Sequence, residues 1–189
     1  MTTAIILTMV LAQEGTKPPL VCPIMLSPVS AKVPTSEYNG ALFGYCCAGC
    51  EIGFEANPTK VLGDKKLKGK TVGEFLFDPV DRREIEFKDA AGWFDYASIR
   101  FYFRSAENLA TFKKDPKKFG TMPKLESLVC PVSGETIARY TEAAGYEDIG
   151  GVRYYLCCMG CEPKLVAEPA KYTTGKKGTA PKAIPTKKD

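Results

Sequence analysis

An α+β protein built of three tandem units, each a β-hairpin or strand followed by a short α-helix, is the fold this sequence predicts, and three observations carry the prediction. The first is repetition. "VCPIMLSPV" (21–29), "FDPVDRREI" (77–85) and "VCPVSGETI" (129–137) hold a Pro in one column. "YNGALFGYCCAGCEIGFEANP" (38–58), "YASIRFYFRSAENLATFKKDP" (96–116) and "IGGVRYYLCCMGCEPKLVAEP" (149–169) align without a gap, which gives units of about 50 residues. The second is the run at the centre of each aligned block, such as "SIRFYF" or "GVRYYL", whose aromatic and β-branched content suits a pleated, half-buried strand. The third follows it: "GCEIGFEANPTKVL" and "NLATFKKDPKKF" space their apolar residues along one helix face. Pro58, Pro116 and Pro169 cannot continue such a helix and mark its end.

Taken in order, residues 1–19 read as a secretory signal and linker. The apolar run Ala4–Ala12 is far shorter than the about 20 residues that cross a bilayer as a helix, so no membrane span is expected. It ends in Val10-Leu11-Ala12 ahead of a polar stretch, with small residues where a signal peptidase reads, although no Lys or Arg precedes Lys17. The alternative is a first strand or a frayed terminus. The signal reading places the protein outside the cytoplasm, in a periplasm or secreted; otherwise it is cytoplasmic. The units then span 20–63, 64–122 and 123–174. Residues 175–189 lack apolar periodicity and are rich in Lys, Gly, Pro and Thr, so they are expected to form a disordered basic tail. Lys171, Lys176, Lys177, Lys182, Lys187 and Lys188 account for the formal charge of +4. The rest of the chain is near neutral, which argues against a nucleic-acid partner.

A unit of this size has little core of its own and needs a staple. Six of the eight cysteines sit in "YCCAGC" and "YLCCMGC", just where strand gives way to helix. Cys46 and Cys50, four apart, can face one point, with Cys22 from the opening turn closing over them; Cys130, Cys157 and Cys161 repeat the set. Thiolates bind soft and borderline ions, and the chain has no His, so such a site is built of sulfur and narrows the metal to a thiophilic ion, Zn(II) or Cu(I), about two per chain. Cys47 and Cys158 are either fourth ligands or spare thiols, because adjacent side chains diverge on an extended backbone. The opening turn offers another fourth group, Met25 in the first unit and Ser133 in the third, and a thioether at Met25 favours Cu(I) there.

These columns resemble the YHS and TRASH domains. The matching residues are Tyr38, Gly40, Phe43, Tyr45, Cys46, Cys50, Phe54 and Pro58 in the first unit, and Gly151, Tyr154, Tyr155, Cys157, Cys161 and Pro169 in the third. Leu165 stands where that pattern has an aromatic, and Ile149 where it has Tyr. The resemblance covers about residues 20–174. It implies small treble-clef-like modules that serve heavy-metal trafficking, resistance or sensing, with a metal-transporting or metal-accepting protein as partner.

The middle unit reads Asp78, Arg104, Ser105 and Asn108 in the cysteine columns and is expected to bind no soft metal. Phe112, Trp93 and Phe94 point instead to apolar packing in a spacer or interface. No Gly-rich phosphate loop and no paired carboxylates occur in a recognisable setting, so an enzyme is not expected. Two other functions remain open at this stage. One is an exported structural or interaction protein stapled by disulfides; the other is thiol–disulfide exchange at "CAGC" and "CMGC", formally Cys-x-x-Cys.

Overall fold

The computed structural model describes residues 17–30 and 32–186, and the greater part of the proposed signal segment lies outside the described residues. The fold is α+β. In chain order the elements are β1 (Thr35–Tyr38), β2 (Ala41–Gly44), α1 (Ala48–Ala56), α2 (Pro58–Leu62), β3 (Gly73–Phe75), β4 (Gly92–Tyr96), β5 (Ile99–Phe103), α3 (Ala106–Lys114), α4 (Pro116–Gly120), β6 (Leu125–Ser127), β7 (Gly145–Ile149), β8 (Val152–Leu156), α5 (Glu162–Ala167), α6 (Pro169–Thr173) and β9 (Ile184–Pro185).

One local plan recurs three times. The hairpins β1–β2, β4–β5 and β7–β8 close through Asn39-Gly40, Ala97-Ser98 and Gly150-Gly151, with φ of 51° and 77°, 48° and 68°, and 59° and 80°. Two positive-φ residues in a two-residue loop match the right-handed twist of the strands, the reason Asn-Gly and Gly-Gly suit such turns. Each second strand delivers the chain to a helix, and each helix stops before the Pro, as the sequence suggests. The Pro also does something not anticipated: Pro58, Pro116 and Pro169 each open a second short helix at its first position, where a missing N–H costs nothing. Asn57 and Asp115 cap two of these through the backbone N–H of Lys60 and Lys118, at 3.0 Å each.

The units are joined by more than linkers. Strand β3 pairs antiparallel with β2 and parallel with β5, so that β4-β5-β3-β2-β1-β9 form one six-stranded sheet; β6-β8-β7 form a second. Phe43, Phe54, Phe75, Phe77, Phe101, Phe103 and Phe112 are buried in one core that also takes Tyr146 and Tyr155 of the third unit. Glu37, fully buried, ties the first unit to the third. It accepts hydrogen bonds from Arg139 Nη2 at 2.7 Å, from the Tyr140 N–H at 2.7 Å and from Thr141 Oγ1 at 2.9 Å. A second buried carboxylate, Glu126, is less well provided for. Tyr140 Oη donates to its Oε1, its Oε2 has no partner among the described residues, and burial pushes its pKa up to about 7 against the lowering by Tyr140 and Arg153.

The C-terminal segment corrects an expectation. Read from composition as a disordered tail, residues 175–186 instead lie along the sheets. Thr179 exchanges backbone hydrogen bonds with Glu126 at 2.8 and 2.9 Å, and β9 pairs with β1 through Ile184–Glu37 and Pro185–Ser36. Gly178 makes this approach feasible, because a Cβ there would stand 2.6 Å from Val152 Cγ1. Main-chain pairing on exposed strand edges needs no apolar periodicity, which is why composition misjudged the segment.

Candidate metal centres

The first cysteine of each candidate set sits at the head of a sharp loop. The Cys22 N–H donates to the Ser27 carbonyl and the Leu26 N–H returns to the Cys22 carbonyl, both at 2.8 Å. Leu26 turns the corner at a φ of 60°. Asp78 with Arg82 and Arg83, and Cys130 with Gly134 and Glu135, repeat this loop bond for bond. The other candidate cysteines come from the strand-to-helix junction. Cys46 lies two residues after the end of β2, and Cys50 is placed one turn on, where its N–H reaches the Cys47 carbonyl at 3.1 Å at the start of α1. Cys157 and Cys161 stand likewise between β8 and α5.

The sulfurs converge. Those of Cys22, Cys46 and Cys50 lie within 4.8 Å of one another, as do those of Cys130, Cys157 and Cys161. Cys46 and Cys50 are separated by 3.7 Å and Cys157 and Cys161 by 3.9 Å. A tetrahedral ion bound to thiolates at about 2.3 Å sets its sulfurs about 3.8 Å apart, a spacing that the Cys46–Cys50 and Cys157–Cys161 pairs match. None of the eight cysteines is joined in a disulfide in the structure. A metal held here would supply the positive charge that three clustered thiolates otherwise lack.

The middle unit reveals what the head position is built to receive. Buried Asp78 accepts the Val80 N–H at 2.9 Å, the Arg104 N–H at 2.7 Å and Asn108 Nδ2 at 2.8 Å. These donors occupy the columns of Ile24 and Val132, of Cys46 and Cys157, and of Cys50 and Cys161. Where the outer units carry a thiol, the middle unit carries a carboxyl group held by two backbone N–H groups and an amide. Arg104 completes the substitution with an ion pair to Asp81 at 3.3 Å. Phe112 packs against Phe94, Tyr96, Phe101, Phe103 and Phe119, so the sequence expectation of aromatic packing in this unit matches what is seen.

The same anion-receiving site acts on the head cysteines. Burial pushes the Cys22 thiol up, but hydrogen bonds from the backbone at Met25, Cys46 and Ile24 outweigh it and leave Cys22 below the ordinary thiol value. For Cys130 burial is likewise outweighed, by the Ser133 side chain and the backbone at Cys157, Ser133 and Val132, bringing the thiol to about 6. Cys50 and Cys161 move the other way, raised first by burial and then by the neighbouring cysteines. One sulfur of each cluster is prepared to ionise and another resists; a cation that displaces the proton relieves the conflict.

The remaining sequence candidates fall outside the two triads. Cys47 is exposed and stands 3.3 Å from Cys50; Cys158 is exposed and stands 3.6 Å from Cys161. Met25 is 63% exposed to solvent. Its counterpart Ser133 does reach the site, with Oγ 3.3 Å from Cys157 Sγ. Sequence reasoning missed the backbone donors around Cys22 and Cys130, which only the Asp in the middle column hinted at. A cleft of about 470 Å³ between the first unit, the Ala97 turn and Pro181 contains none of the cysteines. No helix among the described residues is long and apolar enough to cross a membrane.

No family model, curated protein or solved structure matches this chain.

Proposed function

We propose that this is a non-enzymatic metal-binding protein that holds one thiophilic ion, Zn(II) or Cu(I), at Cys22, Cys46 and Cys50 and another at Cys130, Cys157 and Cys161. Its role is trafficking, resistance or sensing of that ion, outside the cytoplasm, with a metal-transporting or metal-accepting protein as partner. The units are treble-clef-like modules of the YHS and TRASH kind. The observation that carries the reading is the pair of three-sulfur clusters at metal-ligand spacing, set against a middle unit in which a hydrogen-bonded carboxylate replaces the thiol. Sulfur-only ligand sets select soft and borderline ions.

One observation favours a second reading, thiol–disulfide exchange. Cys47 occupies the N-cap of α1, 3.3 Å from Cys50, and the Cys50 thiol and backbone hold it below the ordinary thiol value. Such a pairing of a low-pKa, exposed cysteine with a buried one suits a redox couple. Metal analysis and a free-thiol count on protein purified without a His tag separate the two. Metal binding gives about two ions per chain and eight thiols titrated only after the ions are chelated. Exchange chemistry gives metal-free protein with a Cys47–Cys50 disulfide that forms and reduces reversibly.

A further inference from the structure

The two clusters share ligands and loop geometry, yet their surroundings differ. In the first unit Cys46 is exposed; Met25, on the Cys22 loop, is 63% exposed and Ile52, on α1, 66% exposed. Glu51, the residue after Cys50, forms no ion pair among the described residues. In the third unit Cys157 is half-buried and packs against both apolar clusters of the molecule. Ser133, in the Met25 column, touches Cys157 at 3.3 Å and Cys130 as well. Glu162, in the Glu51 column, is bound by Arg83 of the middle unit at 3.2 Å. The loop carrying Arg83 also pairs with β7, through the Glu84 N–H to the Ala144 carbonyl at 3.1 Å and the Tyr146 N–H to the Arg82 carbonyl at 3.0 Å. The middle unit therefore reaches the residue after Cys161 through Arg83, whereas at the first centre it holds the Cys22 loop, through Lys66 Nζ to the Ile24 carbonyl and the Val21 N–H to the Thr71 carbonyl, both at 3.0 Å, and makes no ion pair with Glu51 among the described residues.

Resting on the metal-binding reading above, we propose that the centres divide the work: the Cys22–Cys46–Cys50 centre exchanges its ion with a partner, and the Cys130–Cys157–Cys161 centre retains its own. Exchange proceeds by an incoming ligand taking one metal–sulfur bond at a time, each freed thiolate regaining a proton or staying hydrogen-bonded. Exposure of Cys46 admits that ligand. Burial of Cys157 and restraint by Ser133 and the Arg83–Glu162 pair hinder both its approach and the sulfur movement it requires.

The test is zinc release from the two-ion protein, under reducing conditions, to excess 4-(2-pyridylazo)resorcinol. Two phases of equal amplitude are expected, separated by about tenfold or more. Cys50→Ser removes the fast phase and Cys161→Ser the slow one. Ser133→Ala and Arg83→Ala, which leave all six cysteines in place, accelerate the slow phase several-fold and leave the fast phase unchanged. A single phase, or a fast phase that disappears with Cys161→Ser, overturns the division of labour while leaving metal binding intact. Failure to load any zinc overturns the metal-binding reading itself.

Discussion

Asp78 accepts the Arg104 backbone N–H at 2.7 Å, and Cys22 and Cys130 take hydrogen bonds from the backbone at the same column, Cys46 and Cys157. One anion-receiving position is thus built three times, and the middle copy fills it without a metal. The middle unit holds its head carboxyl by hydrogen bonds alone, where each outer unit clusters three cysteines.

Removing that carboxylate is expected to be costly. Asp78→Ala leaves the Arg104 N–H and the Asn108 amide without their acceptor, a loss of about 2–4 kcal/mol in urea unfolding of the metal-loaded protein, with metal content unchanged. A loss under about 1 kcal/mol would show that water or Asp81 takes over the bonds.

Glu126 makes stability fall with pH. Its folded pKa is raised from 4.5 to about 7, so the native state holds the proton that the unfolded state has released. Its contribution is whole below about pH 4.5 and is lost as pH rises through about 7, a difference of about 3 kcal/mol at most. Glu126→Gln keeps an acceptor for Tyr140 and removes the charge. Thermal melts of this variant are expected to exceed those of the wild type at pH 8 and to converge with them near pH 4.5. Equal melts at pH 8 contradict the assignment.

The hairpin turns carry opposite stability errors. Ala97 holds a φ of 48°, a region that suits Asn or Gly, so Ala97→Asn is expected to stabilise by about 0.5–1 kcal/mol. Gly150, at a φ of 59° with nothing within 4 Å of an added Cβ, is expected to lose about 1 kcal/mol as Gly150→Ala purely through backbone strain. Chemical denaturation reads both. The same sign for the two variants would refute the turn argument.

Much of this was legible in the residues. Asn39-Gly40 and Gly150-Gly151 announce tight hairpins, and the gapless alignment of 38–58, 96–116 and 149–169 places Cys46, Arg104 and Cys157 in one column. The triads followed because a strand-to-helix junction with cysteines four apart has few other ways to present its sulfurs. What stayed hidden depends on contacts between units. The pairing of Thr179 with Glu126 is a main-chain match that side chains do not advertise. The Arg83–Glu162 pair joins residues far apart in sequence, and the five donors on Glu37 come from a unit about a hundred residues away. The second helix behind each Pro was missed because the same residue ends one helix and begins the next.

The most direct test of the central claim is metal content, by elemental analysis against protein concentration, of the wild type, Cys50→Ser, Cys161→Ser and the double variant after loading with zinc under reducing conditions. With two independent three-sulfur centres the counts are expected to fall from about two ions per chain to about one in each single variant and to none in the double. Full stoichiometry in both single variants, or retained metal in the double variant, would contradict the assignment of these cysteines as ligands.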